Sequence, residues 1–135
     1  MFEYRGLANT ASAMSILPHR HLGHAGPYML LVHGYMVDGG MFMAVEEGLL
    51  RHYRLLIPDL RGYGDAWNWP GPHTFEQEVA DLAALVSHYT SGPVWVFGYS
   101  MGGALAQLFA RRYPELTRGL ILGCTFSYKP QTPLE

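Results

Sequence analysis

The stretch Val94-Trp95-Val96-Phe97-Gly98-Tyr99-Ser100-Met101-Gly102-Gly103 decides the reading of this chain. Four apolar residues of β type run into G-Y-S-M-G, and a helical pattern starts at once. A strand, a sharp turn holding a serine and then a helix make a nucleophile elbow. Such a turn strains its central residue, so the positions two residues away on either side must be small. Gly98 and Gly102 meet that need. The turn pushes the Ser100 hydroxyl out over the strand ends. It also sets the Met101 N–H at a helix N-terminus, where it can face a developing oxyanion.

Working outward, the same alternation of strand and helix repeats. Tyr28 to Val32 reads as a buried strand closed by His33-Gly34. Met41 to His52 reads as a helix with Phe42, Val45, Leu49 and Leu50 on one side. Arg54 to Ile57 is the next strand, followed by the loop Asp59-Leu60-Arg61-Gly62-Tyr63-Gly64-Asp65. Thr74 and Gln77 form a capping box for a helix reaching about Tyr89, striped by Phe75, Val79, Leu82, Val86 and Tyr89. After Ser100, a helix from Met101 to Tyr113 ends at Pro114, and Arg118 to Cys124 forms a last strand, with Cys124 in the core. Phe2 to Ala8 reads as a short first strand. The segment Asn9 to Pro27, with His19, His21 and His24, reads as a solvated loop with room for a further short strand. Its histidine spacing lacks a nearby carboxylate or cysteine, so no metal site is expected. Alternating strands and helices with short connections imply an α/β fold: a three-layer sandwich with a mostly parallel central sheet.

Four of these features, in this order, resemble the α/β-hydrolase family. They are the His33-Gly34 turn, the D-L-R-G-Y-G loop from Asp59 to Gly64, the elbow, and Tyr113-Pro114-Glu115 ahead of an apolar strand. The likeness covers roughly residues 28 to 124. It implies a serine hydrolase acting on carboxylic esters by acyl transfer through Ser100, of the esterase or lipase kind. It implies an oxyanion hole from the backbone N–H groups of Tyr35 and Met101, supported by His33, Gly34, Gly98 and Gly102. His33 is expected to brace its loop, and Asp59 and Arg61 to act as scaffold. The family's acid and base follow the nucleophile in chain order, yet no histidine and no aspartate follow Ser100 here. About six strands are counted against the family's eight. The expectation is therefore one incomplete α/β-hydrolase domain over 1–135, a truncated N-terminal half of the fold. The alternative is a catalytically impaired half-domain that folds as an oligomer.

Composition narrows the remaining choices. The chain has 135 residues, 49% of them hydrophobic and 15% charged. Charge that low, against a usual value near ~25%, points to surface covered by a partner, either a second copy in a homodimer or a complementing chain. A formal net charge of −2 disfavours nucleic acid as a ligand. Gly62 and Gly64 do not open a dinucleotide fingerprint, because Trp67 stands where the third glycine belongs. No cofactor is expected, and the partner is a small-molecule ester. Apolar runs of about five or six residues are far short of a membrane span. With no secretory signal pattern and a single cysteine, a cytoplasmic location is expected. Met36, Met41, Met43, Trp67 and Trp69 are candidates to line an apolar pocket.

Overall fold

The computed structural model describes residues 16–128. Five strands form one mixed sheet in the order β1-β3-β2-β4-β5. These are β1 His19–Leu22, β2 Tyr28–Val32, β3 Arg54–Pro58, β4 Val94–Tyr99 and β5 Thr117–Gly123. Strand β1 runs antiparallel to β3, and β2, β3, β4 and β5 run parallel. Parallel neighbours end on the same edge: Val32 pairs with Gly98, and Gly98 pairs with Leu122. The turns after β2, β4 and β5 therefore meet there.

The sheet's two faces carry separate cores, because side chains alternate along a strand. Leu30, Val32, Leu56, Val94 and Val96 pack with Leu82, Leu85, Leu105 and Phe109. Those helical residues come from α2 Phe75–Tyr89 and α3 Met101–Arg112. Met29, Leu31, Leu55 and Ile57 face the other way and pack with Phe42, while Trp95, Phe97 and Leu49 lean on them. The covering element there is a 3-10 turn, Gly39–Phe42, leading into α1 Met43–Leu49. Helices on both faces of a mostly parallel sheet give the three-layer α/β architecture expected from the alternation. No helix among the described residues is long and apolar enough to cross a membrane.

Several local expectations change. The reading of Phe2 to Ala8 as a strand lies outside the described residues. The histidine segment holds the further short strand at His19–Leu22 and continues as a loop in which His24 is exposed. His19 is buried within β1, its Nδ1–H donating to the Leu17 carbonyl at 2.7 Å and its Nε2 accepting from the Tyr89 hydroxyl at 2.6 Å. His21 stacks against the same tyrosine at 4.5 Å between centroids. Of the three rings only His19 is buried, by pairing with β3, and its hydrogen bonds make that burial tolerable; His21 is half-buried and His24 exposed. The helix expected from Met41 shrinks to seven residues, and Val45 is exposed. Gly39 and Gly40 enter as a 3-10 turn capped by the Asp38 carboxylate, which rotates the helical face. The Thr74 hydroxyl does accept from the Gln77 N–H, but the Gln77 amide donates to Asp81 rather than back to the cap. Cys124 is not a core residue: it is exposed, with φ +48°, just beyond β5.

Phe109 is fully buried between the sheet and α2. Phe109→Ala should remove about 3–5 kcal/mol of stability, whereas Val45→Ala should stay within about 0.5 kcal/mol of the parent. Urea titrations followed by far-UV circular dichroism measure both, and equal midpoints would contradict this core assignment.

Candidate active site

Ser100 occupies the junction of β4 and α3 with φ +54° and ψ −119°. A side chain in that region is strained by about 1–3 kcal/mol. The strain is held in place from three sides. A Cβ added at Gly98 would run into the Gly102 carbonyl, and one at Gly102 would run into the Val32 and His33 carbonyls. The Ser100 N–H donates to the Gly123 carbonyl at 3.0 Å. The Ser100 carbonyl accepts from the Thr125 hydroxyl at 2.5 Å and from the Gly103 N–H at 2.9 Å. Thr125 thus fixes the elbow from beyond β5, with Gly103 kept bare because Thr125 lies against it. Gln107 pins the same segment, donating to the Phe126 carbonyl at 2.8 Å and accepting from the Tyr128 N–H at 3.1 Å. No sequence motif marks Thr125; only the pairing of β4 with β5 brings it to Ser100.

The turn after β2 abuts the elbow. A Cβ at Gly34 would come within 3.3 Å of the Ser100 Cβ and 3.2 Å of Tyr99. His33 is fully buried and uses both ring nitrogens. Its Nδ1–H donates to the Gly34 carbonyl at 2.8 Å, and its Nε2 accepts from the Leu60 N–H at 3.0 Å. That arrangement needs the neutral ring. Burial lowers its pKa from 6.5, against the opposing pull of the Gly34 carbonyl, Asp59 and Asp38. His33 therefore ties the turn after β2 to the loop after β3, with no nitrogen left to take a proton from Ser100. Tyr35 follows, exposed, edge-on to Tyr63 at 6.3 Å, and the Tyr63 hydroxyl lies 4.0 Å from the Met101 sulfur. Met36 has φ +60°, which turns the chain sharply just after Tyr35. The Met101 N–H opens α3, where no earlier turn supplies an accepting carbonyl.

The loop after β3 is built as scaffold. The Asp59 carboxylate accepts from the Gly39 N–H at 2.8 Å and from the Asp65 N–H at 2.9 Å. Arg61 forms a two-pronged pair with Asp81 at 2.8 and 2.9 Å and donates to the Pro70 carbonyl at 2.7 Å. Beside that pair lies Glu78, also buried, accepting from the Arg61 N–H at 3.2 Å. Burial first, and the Asp81 charge second, push its carboxyl up to about 7. Glu78 escaped the sequence reading, although a carboxylate between Phe75, Val79 and Leu82 breaks the apolar stripe and is a readable signal. A cavity of about 390 Å³ is lined by Tyr35, Met36, Tyr63, Trp67, Glu78 and Met101, among others. Met36 and Trp67 fulfil the pocket expectation. Trp69 is buried in the core, and Met43 faces a different cavity, near β1. Among the described residues no group of three or more histidines, cysteines or carboxylates could hold a metal ion.

Residues 27–135 match the alpha/beta hydrolase fold family. The chain belongs to that family. It is 37% identical over 101 residues to a pimeloyl-[acyl-carrier protein] methyl ester esterase of Xanthomonas oryzae pv. oryzae, covering 75% of this chain and 37% of that one. The enzyme of the same name from Chromobacterium violaceum is 36% identical over 101 residues, covering 74% and 37%. Among solved structures, a thermophilic esterase from Thermogutta terrifontis superposes with a TM-score of 0.79 at 36% identity. That match covers 98% of this chain and 48% of the esterase. A hydrolase from Pseudomonas aeruginosa gives 0.80 at 28% identity, covering 90% and 46%. The chain spans under two fifths of these curated relatives and about half of these solved structures.

Two kinds of buried titratable group oppose each other in acid. His33, His19 and His21 have folded pKa values below 6.5, chiefly through burial. Their contribution is complete above pH 6.5 and is lost as pH falls through the folded values. Glu78 is raised from 4.5 to about 7. It favours the folded state in acid, and that contribution is lost as pH rises through about 7. Stability should therefore fall less steeply between pH 6.5 and 4.5 than the histidines alone require. Glu78→Gln should steepen that acid loss and raise the urea midpoint above about pH 7.5. A midpoint profile identical to the parent's would contradict the buried state of Glu78.

Proposed function

We propose that this chain carries the nucleophile side of a carboxylic ester hydrolase. The observation that supports it most is the strained backbone of Ser100, held at a strand–helix junction next to the His33-Gly34 turn. The names of the esterase relatives support an ester as the substrate class. In this reading the Ser100 oxygen attacks the ester carbonyl carbon. The carbonyl oxygen gains charge and is met by the N–H groups of Tyr35 and Met101. The bond to the alcohol then breaks, the alcohol takes the serine proton, and water later releases the acid from the acyl-serine. The base and acid that move these protons come, by the family's chain order, from strands beyond β5. The reaction uses no cofactor, and the single cysteine agrees with a cytoplasmic setting.

Ester turnover by this chain, alone or complemented by the remaining strands, should fall at least ~10³-fold in Ser100→Ala. A fluorophosphonate probe should label Ser100 in the parent and nothing in the variant, read by peptide mass spectrometry. Turnover that survives the substitution would place the chemistry elsewhere.

The second reading, an impaired half-domain that assembles, is favoured by one observation. Strand β5 ends the sheet, and its Leu120, Ile121 and Leu122 are 36%, 42% and 44% exposed on both faces. An unpaired apolar edge is a template for another strand. Light scattering over a dilution series should show a dimer or larger species. A well-folded monomer at every concentration would eliminate this reading.

A further inference from the structure

The cavity beside the elbow contains more than apolar wall. Met36, Trp67, Phe75, Met101 and Leu105 give it a hydrocarbon lining, and Tyr35 and Met101 tie it to the site of acyl transfer. Its volume of about 390 Å³ suits a small-molecule group. Glu78 forms part of that wall, although the residue is only 5% exposed, and its carboxyl accepts from the Arg61 N–H beside the cavity. We propose that this cavity receives the acyl chain of the ester, and that Glu78 makes it selective for uncharged chains over chains ending in a carboxylate. The proposal rests on the ester-hydrolase reading and adds to it a substrate class and a residue that sets it.

The charge balance around Glu78 carries the argument. Asp81, one helical turn further along α2, is neutralised by its two-pronged pair with Arg61. Arg61 lines the cavity too, yet three of its donors already serve Asp81 and Pro70. Tyr63 and Tyr35 line the cavity as well, and burial raises the pKa of the Tyr63 hydroxyl. His73 lies at the rim, its ring packed on Gly62. With Glu78 protonated, the group of Arg61, Asp81 and Glu78 sums to zero. With Glu78 ionised it sums to −1, in a wall where water screens little. A second carboxylate brought into that cavity is then repelled, while a hydrocarbon chain is unaffected.

The test uses the 135-residue chain carrying Ser100→Ala, so that no ligand is consumed. Methyl hexanoate and monomethyl adipate are titrated separately at about pH 6 and about pH 8, and quenching of Trp67 is followed. A Trp67→Phe variant subtracts the signals of Trp69 and Trp95. The ratio of dissociation constants, adipate over hexanoate, should rise roughly fivefold between the two pH values. Glu78→Gln, whose amide oxygen can still accept from the Arg61 N–H, should hold that ratio flat. His73→Gln should leave the rise in place. A flat ratio in the parent, an equal rise in Glu78→Gln, or no Trp67-dependent quenching by either ester would overturn the proposal. Failure of the Ser100 labelling experiment would instead remove the acyl-transfer reading while leaving the measured charge preference intact.

Discussion

The rest of the site depends on one constraint: a serine held at positive φ between a parallel strand and a helix. At φ +54° and ψ −119° the backbone of Ser100 is costly by about 1–3 kcal/mol. It persists because the surroundings leave no alternative. Gly98 and Gly102 let the turn close against β2, and any side chain at either position would strike backbone. The Ser100 N–H donates to the Gly123 carbonyl, and the Ser100 carbonyl accepts from Thr125 and Gly103, so both backbone polar groups of the serine are held. Bonds worth roughly 1 kcal/mol each are together large enough to offset the strain.

The loops around that serine are joined through side chains rather than through regular structure. His33 links the turn after β2 to Leu60, Asp59 links the same loop to Gly39 and Asp65, and Arg61 links it to α2. Each link buries a polar or charged group with its partners satisfied, which keeps the burial cost low. Glu78 is the exception. Its carboxyl accepts only a 3.2 Å bond from the Arg61 N–H and sits close to Asp81. A group in that position favours the protonated form, which is why a cavity wall in the midst of a well-paired network remains able to change charge.

The elements carrying regular periodicity were readable from the chain. The strands at Tyr28, Arg54 and Val94, the α2 stripe and the elbow all follow from local pattern, and their layering follows from alternation. What escaped was settled by non-local pairing. His19 becomes buried because β3 lies beside it, its partner Pro58 being over 30 residues away in sequence. Thr125 reaches Ser100 only through the pairing of β4 with β5. Cys124 read as core because it follows an apolar strand, but that strand is the sheet's last and leaves it exposed. The Gly39-Gly40 turn altered the α1 face in a way that periodicity alone cannot anticipate.

Strand β5 connects these points. One side of it holds Ser100, whose N–H donates to the Gly123 carbonyl and whose carbonyl accepts from Thr125 two residues later. Among the described residues no strand pairs with its other side, and Leu120, Ile121 and Leu122 are exposed. On the face shared with Trp95 and Phe97, those rings lie over Gly119 and Gly123, so β4 supplies the cover that β5 lacks. An edge strand of that kind frays more readily than a central one, because pairing supports it from one side only. Loss of the Gly123 pairing would remove the acceptor of the serine N–H and loosen the adjoining Thr125 bond, two of the contacts that hold the strained turn. A strand paired with this edge of β5 would therefore steady Ser100 without touching it. It would fix the strand that fixes the serine.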